Sequence, residues 1–220
     1  MIRRAAILCV VAITAPNSGG ESAASRAVVS LPAGPLWQVL SLFSGPDNYY
    51  AFLDEGGTGF IRATYRPPME TVILYAKLPS PFGYTELSWR WRMHKLPRGG
   101  DEAIGAKNDS GGSVYAYFDT WPRKYVIKYV WSAARPPFFN FRTQDSTLFQ
   151  KMQLVVLEGP ATSLDAWVSE VVDPVADFRR FFEIADDEDV PPLVGIGMLS
   201  DGDQTQSEVI ADYADFRLRR

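Results

Sequence analysis

The sequence of 220 residues contains one cysteine, Cys9, and one histidine, His94. Cys9 lies in the N-terminal segment, so a chain that loses this segment has no disulfide, no thiolate nucleophile and no thiolate metal site. A single histidine nearly excludes a histidine-based metal site and a Ser-His-Asp triad. We expect His94 to be an exposed residue at the end of a strand.

The chain also lacks an excess of basic residues, with 22 Lys and Arg against 26 Asp and Glu and a formal net charge of −4. Proteins that bind nucleic acids through phosphate groups need a basic surface, so no nucleic-acid partner is expected. Hydrophobic residues make up 46% of the chain and aromatic residues 13%. This composition is typical of a folded protein, and the length suits one large all-β domain.

The apolar run at residues 5–15 is too short to span a bilayer, which needs about 20 residues. Arg3 and Arg4 precede this run and small residues follow it at 22–24, an arrangement typical of a signal peptide. The alternative is a buried N-terminal segment. Cleavage after Ala24 would remove two arginines and Glu21 and change the formal charge to −5. We therefore expect a periplasmic or secreted protein with no transmembrane span after signal cleavage.

Most of the remaining chain consists of short apolar segments separated by turn-forming residues, which predicts many short strands. The candidate strands are residues 36–43, 49–53, 59–65, 71–76, 86–93, 113–119, 125–131, 150–157, 166–172, 193–199 and 209–218. One short helix is expected after the N-cap Asp173, with Pro174 at its first position and residues 175–184 continuing it. We predict a lead-in segment at 25–35 and a single β-sandwich domain at 36–220.

Three candidate strands, 86–93, 113–119 and 125–131, carry apolar side chains at every second position. Alternate residues of a strand point to opposite faces of a sheet, so we place Trp89, Trp91 and Trp131 in the core. The opposite positions hold Arg90, Arg92, Tyr115, Tyr117 and Lys128. We predict that these five form one binding wall, because arginine offers paired donors and tyrosine offers a stacking surface and a hydroxyl group. The alternatives are a solvated face with paired charges, and a reversed assignment of inside and outside.

Glycines and long loops give two further cues. Gly195 and Gly197 lie on one face of the candidate strand 193–199, where they would leave a gap for a ligand or another backbone. The loop at 133–147 contains Phe138, Phe139 and Phe141, which would either contact a partner or a membrane surface or fold back to plug one end of the sandwich.

Several motifs together resemble a bacterial family known as domain of unknown function 3047. They are LSWRWR at 87–92, LP at 96–97, VY at 114–115, YVWS at 129–132, WVSE at 167–170, Asp173, DFRR at 177–180, VGI at 194–196, DGDQT at 201–205 and YAD at 213–215. The resemblance implies an exported, jelly-roll-like β-sandwich that is similar to carbohydrate-binding modules, and it implies no known reaction. Two positions depart from the family pattern. Asn108-Asp109 stands where paired aspartates are usual, and Gln204 where asparagine is usual.

Acidic residues suggest two kinds of site. Asp201 and Asp203 offer oxygen ligands at alternate positions of a loop, which would suit a structural calcium ion, but a tight turn explains them as well. Glu170 with a nearby aspartate, Asp173 or Asp119, would supply the two carboxyl groups that glycoside hydrolysis needs. Nothing in the linear spacing shows that these carboxyl groups meet.

Taken together, the sequence predicts an all-β, jelly-roll-like (concanavalin- or galactose-binding-like) antiparallel β-sandwich with one short helix. We expect an exported, non-catalytic binding protein for a carbohydrate or another cell-envelope molecule. The predicted ligand-binding residues are Arg90, Arg92, Tyr115, Tyr117, Lys128, Glu170 and Asp109. The alternatives are a polysaccharide-acting enzyme that uses Glu170 and a protein-interaction module. No cofactor is expected apart from calcium at Asp201 and Asp203.

Overall fold

The computed structural model describes residues 28–40, 48–120, 123–143 and 150–220. The predicted signal peptide lies outside the described residues. Within them the chain forms thirteen β-strands and one α-helix. The strands are β1 (Val28–Leu31), β2 (Gln38–Val39), β3 (Tyr50–Glu55), β4 (Thr58–Tyr65), β5 (Leu74–Phe82), β6 (Glu86–Lys95), β7 (Gly112–Thr120), β8 (Arg123–Trp131), β9 (Asn140–Arg142), β10 (Gln150–Glu158), β11 (Val168–Val172), β12 (Leu193–Leu199) and β13 (Val209–Arg219). The helix α1 is Pro174–Phe182.

The strands form two sheets that pack as a β-sandwich, which confirms the predicted fold class. The six-stranded sheet has the order β11-β6-β13-β4-β3, and β1 pairs with one end of β13. The seven-stranded sheet has the order β2-β5-β12-β7-β8-β10-β9. Among the described residues, no helix is long and apolar enough to cross a membrane.

Three features of the strands differ from the prediction. First, β8 and β10 pair in parallel, because the chain returns through the long loop after β8 before it enters β10. Second, β1 lies inside the segment predicted as a lead-in. Third, β5 continues beyond the candidate strand 71–76, through Pro79 and Pro81 to Phe82. Its register against β12 shifts at this point, and such a bulge tolerates residues without a backbone N–H group.

The core lies between the sheets and is rich in aromatic side chains, as the alternation in sequence predicts. Trp89, Trp91 and Trp131 are almost fully buried. Trp91 contacts the other two edge to face, with ring centroids 5.4 Å from Trp89 and 5.6 Å from Trp131. This packing confirms that the tryptophans point inward, so the alternate residues of β6, β7 and β8 point outward.

Helix α1 begins as the sequence predicts and ends two residues earlier. The Asp173 carboxylate accepts hydrogen bonds from the backbone N–H groups of Val175 and Ala176. The helix ends at Phe182 because Glu183 adopts a left-handed conformation with φ of 58°. Phe178 and Phe182 pack their rings against Tyr125 at centroid distances of 5.1 and 4.8 Å, which fixes the helix against β8.

We predict that Asp173→Ala lowers the free energy of unfolding by about 1 kcal/mol, because two N–H groups of the helix lose their acceptor. Denaturation by urea would measure this loss. Asp189→Ala, which removes an exposed carboxylate beyond the helix, is the control and should change stability by less than about 0.5 kcal/mol. Equal stability of both variants would contradict the cap assignment.

Candidate functional site

The structure divides the predicted binding wall between the two outer faces of the sandwich. Arg90 and Arg92 lie on β6 in the six-stranded sheet, whereas Tyr115 and Tyr117 lie on β7 and Lys128 on β8 in the seven-stranded sheet. The prediction of one wall is therefore wrong. Alternation along a strand shows which residues share a face of that strand, but it does not show which strands share a sheet.

On the six-stranded sheet, Asp212 is the centre of a charged network. Its carboxylate has no exposed surface and accepts hydrogen bonds from Arg62 (2.7 and 2.9 Å) and from Arg92 (2.7 and 3.0 Å). His94 Nε2 lies 2.8 Å from Asp212 Oδ2, and His94 Nδ1 lies 2.6 Å from Asp165. Burial alone would raise the pKa of Asp212, but the bonds from Arg62, His94 and Arg92 hold this pKa below its ordinary value.

This network corrects two predictions. His94 was expected to be an exposed residue at the end of a strand; it is the second-last residue of β6, but its side chain is only 24% exposed and both of its ring nitrogens contact carboxylates. Arg92 was expected to bind a ligand, but its side chain is only 12% exposed and pairs with Asp212 and Glu55. Its guanidinium group also lies 4.5 Å from the ring centroid of Trp167. Arg92 therefore stabilises the sheet surface instead of offering free donors to a ligand.

Arg90 is engaged in a similar way, although it borders a shallow pocket. Its Nε donates to Asp215 at 2.6 Å, and its guanidinium group lies 5.0 Å from the centroid of Trp167. Arg90, Glu170 and Asp215 line a pocket of about 200 Å³ at this end of β6. The structure thus brings two predicted site residues, Arg90 and Glu170, to one pocket.

Glu170 and Asp215 line the same pocket, but each carboxyl group has a different partner. Glu170 lies opposite Trp89 on β6 and accepts a hydrogen bond from Trp91 Nε1 at 3.1 Å, whereas Asp215 pairs with Arg90 on the outer face. Burial and the neighbouring carboxyl group of Glu158 together raise the pKa of Glu170 to about 7, against the lowering effect of the hydrogen bond from Trp91. The acidic neighbour of Glu170 is therefore Glu158.

The other two aspartates considered for catalysis lie elsewhere. Asp173 caps α1, and Asp119 is an exposed residue on β7 of the other sheet. The structure brings neither of them to Glu170.

The outer face of the seven-stranded sheet carries a cluster of tyrosines, which we call the tyrosine face and define as Tyr75, Tyr115 and Tyr117. The ring centroids of Tyr75 and Tyr117 lie 5.5 Å apart with nearly perpendicular planes, and those of Tyr115 and Tyr117 lie 5.8 Å apart with nearly parallel planes. Apolar side chains border Tyr115 and Tyr117 on the same face: Ile73, Val126, Met152 and Leu199.

Gly195 and Gly197 make room for this cluster. A methyl group on Gly195 would lie 2.1 Å from the Tyr75 hydroxyl oxygen, and one on Gly197 would lie 2.9 Å from the Tyr117 ring. The prediction that these glycines leave an open gap is therefore wrong, because tyrosine rings from β5 and β7 lie across them. The two glycines nevertheless indicated correctly that β12 is closely approached, since they allow tyrosine side chains of neighbouring strands to lie against its backbone.

The members of the tyrosine face differ in exposure. Tyr115 is buried, whereas Tyr75 and Tyr117 are half-buried and reach the surface. Burial raises the pKa of Tyr75, and the nearby charge of Asp119 raises it further. Burial also raises the pKa of Tyr117, so both phenols stay neutral. The Tyr75 hydroxyl donates to the backbone carbonyl of Val194 at 3.3 Å and can still accept a hydrogen bond. Sequence reasoning missed Tyr75, although Ile73, Tyr75 and Lys77 alternate with the core residues of β5.

Lys128 shares the outer face with Tyr115 but is only 8% exposed. Its Nζ lies 3.3 Å from Ser110 Oγ and 5.6 Å from the ring centroid of Tyr115. The predicted role of Lys128 in direct ligand contact is therefore not supported by its position. The Lys128 side chain is buried and packs against the Tyr115 ring.

The structure describes the loop at 133–147, which contains Phe138, Phe139 and Phe141, as far as residue 143. Phe139 and Phe141 fold back onto a small apolar cluster on the outer face of the seven-stranded sheet, formed by Val130, Leu154 and Val156. Phe138, with φ of 70°, is 85% exposed. Phe139 and Phe141 therefore fold back as one alternative predicted, but they cover the outer face of a sheet and do not plug one end of the sandwich.

The acidic residues predicted at two distant points of the chain come together. Asp109 precedes β7, and Asp201 and Asp203 follow β12, yet ligand atoms of all three carboxylates lie within 4.8 Å of one another. The pKa of Asp201 is raised to about 7, chiefly by burial and also by the charges of Asp109 and Asp203, while the charge of Lys128 and the hydrogen bond from Ser110 lower it. We call these three residues the acidic cluster.

Comparison with known proteins gives a family and distant structural similarities. A family model described as "Protein of unknown function (DUF3047)" matches residues 36–217. No curated protein matches the sequence. Among solved structures, the chain is similar to the xyloglucanase domain of NopAA, a type three effector from Sinorhizobium fredii, at 10% identity over 91% of this chain and 100% of that chain, with a TM-score of 0.47.

Two further similar structures have lower scores. The family 11 carbohydrate-binding module of the cellulase Lic26A-Cel5E of Clostridium thermocellum is 7% identical over 90% of this chain and 89% of that chain, with a TM-score of 0.39. The family 11 xylanase from Neocallimastix patriciarum is 10% identical over 88% of this chain and 100% of that chain, with a TM-score of 0.41.

Proposed function

The chain belongs to the DUF3047 family, whose description assigns no function, and we propose from the geometry that it is an exported, non-catalytic carbohydrate-binding protein. The observation that carries this proposal is the tyrosine face on the seven-stranded sheet. Its two half-buried rings, Tyr75 and Tyr117, contact each other edge to face and lie over Gly195 and Gly197 of β12, which have no side chains. The N-terminal signal pattern supports export.

Tyrosine rings suit a sugar because both partners are amphipathic. A pyranose ring presents C–H bonds on its faces and hydroxyl groups around its edge, while tyrosine combines an apolar ring with a polar tip. Tyr75 and Tyr117 can therefore pack against the faces of a sugar and exchange hydrogen bonds with its hydroxyl groups. Because the rings already pack against each other and against β12, little side-chain freedom remains to be lost on binding.

The charges around the two faces favour a neutral carbohydrate. The exposed charged residues on the outer face of β5 and β7, Lys77 and Asp119, have opposite signs. The guanidinium groups of Arg90 and Arg92 lie on the other sheet and are paired with aspartates. We therefore expect neutral polysaccharides to bind more tightly than polysaccharides that carry uronic acids.

Affinity electrophoresis in gels that contain neutral or uronic-acid polysaccharides tests this function. We expect at least one neutral polysaccharide to retard the protein, and Tyr117→Ala to weaken this retardation about tenfold or more, since a stacking contact is lost. Tyr117→Phe should retain part of the binding. Phe138→Ala, which removes an exposed aromatic ring elsewhere, is the control and should bind like the unmodified protein.

Two outcomes would overturn the proposal. One is the absence of retardation by every polysaccharide in the panel. The other is equal retardation of Tyr117→Ala and the control, with both variants folded as judged by circular dichroism.

A further inference from the structure

The acidic cluster concentrates negative charge where two loops meet. Asp109 belongs to the segment before β7, and Asp201 and Asp203 to the loop between β12 and β13. Asp109 has no exposed surface and Asp201 is almost fully buried. Carboxylates so close together and so far from water repel one another strongly unless a proton or a cation lies between them.

Hydrogen bonds satisfy only part of the cluster. Asp109 accepts from the backbone N–H groups of Gln204 and Thr205, at 3.2 and 2.7 Å. Asp201 Oδ1 accepts from the N–H group of Ser110 at 2.9 Å. Asp203 Oδ1, in contrast, is buried and has no hydrogen-bond partner among the described residues.

A fourth carboxylate lies in the adjoining polar network. Glu102 is only 5% exposed, and its Oε2 accepts from Ser132 Oγ at 2.6 Å. Its Oε1 is buried and, within the described ranges, has no hydrogen-bond partner. Glu102 also interacts with Ser110, the residue that donates to Asp201, and with Lys128. The network therefore holds four carboxylates, and two of them, Asp203 and Glu102, have a buried oxygen without a hydrogen-bond partner in the part of the chain that the structure describes. The positive charge of Lys128 lowers the pKa of Asp201 and of Glu102.

We propose that the acidic cluster binds one calcium ion through the carboxylates of Asp109, Asp201 and Asp203. Carboxylate oxygens are hard ligands, which favour calcium or magnesium over zinc or copper. Two oxygens on opposite sides of one calcium ion lie about 5 Å apart, since each Ca–O distance is about 2.4 Å. All three ligand atoms lie within 4.8 Å of one another, so they are close enough to share one such ion.

The ion would link the two loops in the folded state. Asp109 lies more than 90 positions before Asp201 and Asp203 in the chain, so an unfolded chain would bind the ion weakly. Binding to the folded state alone stabilises it by mass action. The proposal is independent of carbohydrate binding, because no residue of the tyrosine face is a ligand.

Calorimetric titration of the EGTA-treated protein with CaCl₂ tests the site. We expect one calcium ion per chain, weaker binding of MgCl₂, and a rise in Tm of about 5 to 10 °C when calcium exceeds its Kd by a hundredfold. Asp203→Asn should weaken the binding and reduce the rise in Tm, because it removes the negative charge of the carboxylate and one of its two oxygens. Asp187→Asn makes the same change in charge at an exposed acidic stretch and should behave like the unmodified protein.

Three results would overturn the proposal. They are the absence of calcium binding, calcium binding by Asp203→Asn that matches the unmodified protein, and an equal loss of binding in Asp187→Asn. Since Asp203 is half-buried, its variant is expected to fold, and the Tm without calcium measures this directly.

Discussion

Asp212→Ala is expected to lower the free energy of unfolding by about 3 to 5 kcal/mol, because removing one partner of a buried ion pair leaves the others uncompensated. The Asp212 carboxylate has no exposed surface and accepts hydrogen bonds from the side chains of Arg62 and Arg92. His94 also contacts it at 2.8 Å. Without Asp212, two guanidinium groups remain close together on one sheet. Urea denaturation monitored by tryptophan fluorescence would measure the loss.

Glu208 offers a matched control for this prediction. Its carboxylate also forms ion pairs with two basic side chains, Arg66 at 2.9 Å and Lys95 at 2.7 Å, but all three side chains are partly exposed. Surface ion pairs contribute little, so Glu208→Ala should cost less than about 1 kcal/mol. If the two variants lost the same stability, the assignment of Asp212 as the centre of the network would be wrong.

The sequence predicted the inside of the sandwich better than its outside. Period-two alternation placed Trp89, Trp91 and Trp131 correctly, because burying large apolar side chains dominates the choice of face. The same alternation could not place Arg92 and Tyr117 on different sheets. That division depends on which strands pair across the whole chain, and long-range pairing leaves no mark in local alternation.

The candidate sites show the same limit. The acidic loop around Asp201 was visible as a motif, but its meeting with Asp109 follows from β7 and β12 pairing in one sheet. Gly195 indicated a close approach to β12, yet the approaching group is Tyr75 from β5, about 120 positions earlier in the chain. A glycine indicates that something lies near and carries no information about what it is.

The stability of this protein is expected to fall as pH rises from about 4.5 to about 7, in part because of Glu170. Burial and the neighbouring Glu158 raise the pKa of Glu170 to about 7, above its ordinary value of 4.5. Between these two values the folded state retains a proton that the unfolded state has released. Stability therefore decreases with pH across this window and becomes constant, with respect to this group, above it.

Glu170→Gln should remove this contribution, because glutamine stays neutral beside Glu158 and keeps an oxygen that can accept from Trp91 Nε1. The variant should match the unmodified protein near pH 4.5 and exceed it at pH 8 by about 1 to 2 kcal/mol, after a reduction for the partial exposure of Glu170. Urea denaturation at both pH values measures the difference. Glu188→Gln, at an exposed position, is the control and should follow the unmodified protein at both. A Glu170→Gln protein that is less stable than the control at pH 8 would show that the charged form of Glu170 stabilises the fold, which is the opposite of what its burial beside Glu158 requires.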